Sequence, residues 1–222
     1  MKNHAVIYSF RRCPYAMRAR MAVHASDQTV ELRDILLKDK PDEMIAASPK
    51  ATVPVLILPN GTVIDESLDV VHWALSENDP QNWYPKDPDS RAEMEALIAE
   101  NDGPFKSALD RYKYHVRFPE ADKDDYRAEG EKFLVKLDEK LSTSKHLFGD
   151  HPTYADICIF PFIRQFANSD RDWFDQAPYP HLQRWLEEWI TSDRFKAIMK
   201  KQPLWKDGGG PVFFPSLTVE NT

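Results

Sequence analysis

Apolar positions in the first third of the chain fall into short runs of strand length, separated by segments with helical spacing. Ala5 to Phe10 reads Ala-Val-Ile-Tyr-Ser-Phe, and the stretch opened by Cys13-Pro14 is rich in Ala, Met and Arg, residues that favour helix. Val30 to Ile35 alternates apolar with charged residues as a half-buried strand does, and Asp42 to Ala47, just after Pro41, predicts a short helix. Val53 to Leu58 and Val63 to Asp65 flank Pro59-Asn60-Gly61, whose Asn-Gly step predicts an antiparallel hairpin. Ser67 to Glu77 then places Leu68, Val71 and Leu75 on one helical face. The order is β-α-β-α-β-β-α, and it closes a first domain over residues 1–78.

Residues 79–90 hold Pro80, Pro85 and Pro88 among polar neighbours, with Trp83 as an anchoring aromatic, which is the composition of an interdomain linker. Beyond it the period changes to that of helices, so residues 91–222 are read as an all-helical domain with a tail. Met94, Leu97, Ile98, Phe105, Ala108, Leu109 and Tyr112 share a helical face, as do Phe133, Leu134, Leu137 and Leu141. Thr153 and Asp156 have capping-box spacing ahead of the apolar run Ile157 to Ile163, which predicts a central buried helix. Leu182, Trp185, Leu186, Trp189 and Ile190 form another stripe, and Gly208-Gly209-Gly210-Pro211 is expected to break the helix containing Phe195, Ile198 and Met199. No defined element is predicted from Val212 onward.

The 222 residues are 42% hydrophobic, enough for a proper core, and the net charge of -7 is scattered along the chain. Without basic blocks, nucleic-acid binding has little electrostatic support. No apolar run approaches the roughly 20 residues of a membrane span, and Met1 to Asn3 leads into a strand without a secretory apolar segment, so no membrane association and a cytoplasmic location are expected. Cys13 and Cys158 lie far apart, which fits a reducing compartment and argues against a disulfide. The seven histidines show no metal-ligand spacing, and no metal is expected.

Cys13 follows a strand and precedes Pro14, a residue favoured in the first turn of a helix. A sulfur at that cap can accept hydrogen bonds from the N-H groups of Tyr15 and Ala16, and the positive helix end favours thiolate; Arg11 and Arg12 add charge of the same sign. Cys158, inside an apolar run, is expected to be inert core.

Cys13-Pro14-Tyr15-Ala16 resembles the active-site motif of glutaredoxins with the second cysteine lost, a pattern shared by omega-like glutathione transferases. The whole chain up to about Val212 resembles that superfamily. The resemblance implies an α/β plus all-α architecture: an N-terminal thioredoxin-like domain (βαβαββα) and an all-helical glutathione transferase C-terminal domain. It also implies that Val53-Pro54 is the cis-proline step that faces bound glutathione, and that Glu66 and Ser67 hold the γ-glutamyl end of that co-substrate. Lys40, with Leu37 packing beside it, would meet the glycine carboxylate. Tyr112, Tyr114, Phe118, Trp173 and Phe174 would line an apolar pocket for the second substrate, or be core.

These features together imply a glutathione-dependent thiol transferase, with Cys13 as the catalytic group, acting on a small disulfide or electrophilic substrate, and a homodimer as is common in the family. Two rivals stand beside it: conjugation of glutathione to small electrophiles, and a non-catalytic scaffold on the same fold.

Overall fold

The computed structural model describes residues 4–207 and 210–215. The chain divides into two compact units, one comprising Met1–Gln81 with Asp193–Thr222 and the other Asn82–Ser192. Met1 to Asn3, Gly208, Gly209 and residues 216–222 lie outside the described residues, and with them the chain start, two glycines of the expected helix break and the end of the expected tail.

The first unit opens with β1 (Ala5–Ser9), α1 (Pro14–Ala25), β2 (Val30–Asp34) and α2 (Asp42–Ala47). It continues with β3 (Val55–Ile57), β4 (Val63–Ile64) and α3 (Ser67–Glu77), the order expected from the apolar pattern. β1 runs parallel to β2 and antiparallel to β3, while β3 and β4 form the antiparallel hairpin. Gly61 sits in that turn at φ +87°, a conformation that costs a residue without Cβ little. α1 packs along α3, and its Ala16, Ala19 and Ala22 are all fully buried. The Val53–Pro54 bond is cis.

The C-terminal segment departs from expectation. α10 (Asp193–Met199) packs on α1, and the chain then pairs β5 (Phe213–Phe214) antiparallel to β2, giving the sheet order β4-β3-β1-β2-β5. Residues 193–215 therefore belong with the thioredoxin-like unit, whereas the sequence pattern assigned them to the helical domain and its tail. The physical reason is an open strand edge. The backbone of β2 needs partners on its outer side, and Leu32 N–H donates to Val212 O at 2.7 Å there. α10 ends at Met199, well before the glycine run that was expected to end it.

In the second unit, α4 (Pro88–Glu100) begins at Asp87, whose carboxylate accepts from Ser90 N at 2.8 Å. A π-helical turn at Asn101–Phe105 carries Pro104, which lacks the N–H an α-helical ladder needs, and α5 (Lys106–Lys113) resumes the regular period. α6 (Lys123–Leu141), α7 (Tyr154–Ala167), α8 (Arg171–Gln176) and α9 (Pro180–Thr191) complete the unit. α7 is central, as its apolar run predicted, and its Phe166 meets Tyr112 at 4.9 Å and Phe105 at 5.5 Å between ring centroids. Gly130 on α6 lies against the same ring: a Cβ there would come within 2.4 Å of Phe166, so only glycine permits the approach. Tyr112 and Phe174 are fully buried, which makes them core and not pocket lining. Trp83 anchors the segment ahead of α4 as expected, with its ring against Trp189 and its carbonyl accepting from Tyr154 N at 3.1 Å.

Candidate active site

The first unit brings Cys13, Val53, Pro54 and the start of α3 to one end of the sheet. Cys13 is the N-cap of α1, with extended backbone at φ -71° and ψ 125°, and Pro14 takes the first helical position. The sulfur is half-exposed and packs on an apolar cluster that includes Tyr8, Ala16, Ile35, Met44 and Val53. Its S–H points at Val53 O, 3.8 Å away, which places the thiol against the backbone of the cis-proline step.

Arginines buried beneath this end of α1 were missed by the sequence reading. Arg18 is fully buried and donates from Nη1 to Ser67 Oγ at 3.3 Å, tying α1 to the first residue of α3. Arg20 donates from Nη2 to Arg11 O at 2.7 Å and from Nη1 to Ser9 Oγ. Burial pushes the Arg20 guanidinium down to about 10, with Asp34 and Cys13 opposing that fall and Arg11 adding to it. Asp34 is raised above the usual carboxylate range by its own burial, with Arg20 and Arg11 pulling the other way. The spacing Arg18-x-Arg20 inside an otherwise Ala- and Met-rich helix was the available clue. Arg11 and Arg12 are used differently: Arg11 Nη1 donates to Met199 O at 3.4 Å, and Arg12 is exposed over the Phe10 ring.

Glu66 is the exposed N-cap of α3, and Ser67 is its buried first residue. The Glu66 carboxylate is engaged by Lys50 Nζ at 2.6 Å, and the same ammonium reaches Asp65 at 3.1 Å. Hydrogen bonds from Ser48 and then Lys50 hold the Asp65 carboxyl below its ordinary range. Leu37 is exposed and Lys40 half-exposed on the loop after β2, where Leu36 and Asp39 pair across a turn. Tyr15 is half-buried on α1, with the Arg18 guanidinium 5.7 Å from its ring centroid. Cys158, in α7, is fully buried. Among the described residues no cluster of His, Cys, Asp and Glu is arranged to hold a metal ion, and no helix is long and apolar enough to cross a membrane.

Residues 7–83 match the family model described as glutathione S-transferase, N-terminal domain, and residues 95–188 match the one described as glutathione S-transferase, C-terminal domain. Mouse glutathione S-transferase omega-1 is 26% identical over 200 residues, covering 89% of this chain and 77% of the relative. A probable maleylacetoacetate isomerase of Caenorhabditis elegans is 28% identical over 187 residues, covering 81% and 85%. Among solved structures, a Pseudomonas fluorescens Pf-5 glutathione transferase family member with two glutathione bound superposes with a TM-score of 0.76 at 16% identity, over 88% of this chain and 92% of that one. With both family models in register on the two halves, and a thioredoxin-like sheet followed by a helical unit in the structure, the chain belongs to the glutathione transferase superfamily.

Proposed function

We propose that the protein is a glutathione-dependent thiol transferase with Cys13 as its nucleophile. The observation that carries this reading is a half-exposed cysteine at the start of α1, 3.8 Å from the carbonyl that precedes the cis-proline, with a buried guanidinium in electrostatic reach. In the first step the Cys13 thiolate attacks the glutathione sulfur of a mixed disulfide, forming Cys13–S–S–glutathione and releasing the substrate as thiolate. A second glutathione thiolate then attacks the glutathione sulfur of that adduct, regenerating Cys13 and leaving as glutathione disulfide. Ala16 stands where an internal resolving cysteine would be, so the second thiol comes from solution. Val53 would pair its backbone with glutathione, Pro54 and Tyr15 would shape the cleft, Glu66 and Ser67 would take the γ-glutamyl end, and Leu37 and Lys40 the glycine end.

The test is mass spectrometry after incubation with glutathione disulfide. One glutathione on Cys13, removed by excess glutathione, is expected; a chain that gains no adduct and has no glutathione affinity would return the scaffold reading. The isomerase relative favours one second reading, addition of bound glutathione to an electrophilic carbon with Cys13 as a bystander. Under that reading Cys13→Ala keeps its turnover of electrophiles. A homodimer in a reducing compartment completes the proposal, and sedimentation would test the assembly.

A further inference from the structure

The segment that follows the helical unit touches the candidate site from both flanks. At one flank, the carbonyls at the end of α10 receive the arginines that frame Cys13. Arg20 Nε donates to Ile198 O at 3.2 Å, and Arg11 Nη1 donates to Met199 O at 3.4 Å. The same Arg20 holds Arg11 O, two residues before Cys13, so α10, Arg20 and the loop ahead of Cys13 form one hydrogen-bonded chain. A planar guanidinium with fixed donor directions transmits position along such a chain better than a flexible ammonium.

At the other flank, Leu204 pairs with Asp34 as a parallel bridge at the end of β2. The Trp205 ring lies edge-on to Tyr8 at 5.8 Å, with the Arg33 guanidinium 4.5 Å from its centroid. Trp205 and Cys13 pack on the same apolar cluster. Lys206 Nζ then pairs with Asp39 Oδ1 at 2.7 Å. Asp39 donates its N–H to Leu36 O at 3.0 Å and so closes the turn that presents Leu37, immediately before Lys40.

We infer that residues 193–206 are a positioning strap for the glutathione half-site, with Lys206 a positioning residue acting through Asp39 on the loop carrying Leu37 and Lys40, and Trp205 seating the strap against Tyr8 and Arg33. This rests on the proposed glutathione site. The strap's contacts fall on Asp39 and on the backbone ahead of Cys13, so its effect is on how well the loop is held before ligand arrives. Both partners of the Lys206–Asp39 pair are exposed, and such pairs add little to global stability. Its loss should therefore show in binding and local order and leave unfolding unchanged.

The experiment compares full-length wild type with Lys206→Ala, Lys206→Arg and Trp205→Ala. Amide hydrogen exchange over residues 34–41 reads the grip on the loop without any ligand; calorimetry with glutathione and steady-state reduction of a glutathionylated peptide read its consequence. Lys206→Ala should speed exchange at the Asp39 amide and raise the Kd and KM for glutathione by a factor of about 3, with kcat and the thermal midpoint unchanged. Trp205→Ala should loosen the same amides more strongly and also lower the thermal midpoint, because its ring packs on the apolar cluster, and Lys206→Arg should keep wild-type values. Unchanged exchange in Lys206→Ala overturns the strap, as does a fall in kcat and thermal midpoint with no separate change in KM. If wild type itself binds no glutathione while Lys206→Ala still loosens the loop, the positioning contact stands and the functional reading is the part that fails.

Discussion

The starts of α1 and α7 solve the same problem in opposite ways. Each helix begins with first-turn N–H groups that lack an intrahelical partner. At α7 the protein satisfies them itself. Thr153 and Asp156 form a capping box, and the buried Asp156 carboxylate also accepts from Leu147 N at 3.0 Å and Trp185 Nε1 at 2.9 Å. At α1 the N-cap is a half-exposed cysteine with its sulfur 3.8 Å from Val53 O, and the first helical residue is a proline, which has no N–H to satisfy. One helix start is closed by a buried carboxylate; the other presents a half-exposed thiol. The contrast extends to the two sulfurs, since Cys13 is half-exposed beside α1 and Cys158 is sealed inside α7.

If this division holds, Cys13→Ala should abolish reduction of a glutathionylated peptide, a loss of about 100-fold or more in kcat/KM, while the thermal midpoint barely moves. Retained thiol transfer would erase the distinction between the two helix starts. Alkylation by iodoacetamide at neutral pH, followed by peptide mass mapping, should mark Cys13 about 100-fold faster than Cys158, because the latter must wait for the helical unit to open. At the closed end, Asp156→Ala should cost about 3 kcal/mol or more in denaturant unfolding, since it orphans several buried donors at once. Intact stability there would mean that the carboxylate is replaceable by water. Ser67→Ala should weaken glutathione binding by about 1.5 kcal/mol in calorimetry, provided the start of α3 belongs with the open class, and should also lower folding stability because it removes a partner of the buried Arg18. The smallest effect is the most pointed: Cys13→Ser supplies a good capping hydroxyl and should stabilise the protein by about 0.5 kcal/mol while removing thiol chemistry. A destabilised Cys13→Ser would show that the sulfur contributes more to folding than the geometry indicates.

Much of this was readable from residue order. Alternation at Val30 to Ile35, the Asn60-Gly61 step and the helical faces gave the order of elements, because each is a local signal of period or turn chemistry. Thr153 and Asp156 identified the capped helix by spacing alone, and Cys13-Pro14 identified the open one. What escaped was non-local. Arg18 and Arg20 look like ordinary helix charges until the fold buries them against Ser67 and Ser9, and nothing near Lys50 announces that it will meet Glu66. The final strand was invisible for the same reason: Phe213 and Phe214 have no pattern of their own and become a strand only because β2 offers an unpaired edge.

That last pairing has a consequence in time. The thioredoxin-like unit is begun by the residues up to Gln81 and completed only by those after Ser192, with the entire helical unit made in between. At ordinary translation speeds, roughly ten seconds separate the emergence of β2 from that of β5. Throughout that interval the growing chain carries a bare β2 edge, able to pair with any neighbouring strand, and a buried-arginine network still lacking the carbonyls of Ile198 and Met199. A message truncated between the codons of Ser192 and Phe213 would thus yield a chain that has every proposed glutathione-contacting residue and an adhesive edge, a species for chaperones and proteases to deal with and not a shortened enzyme.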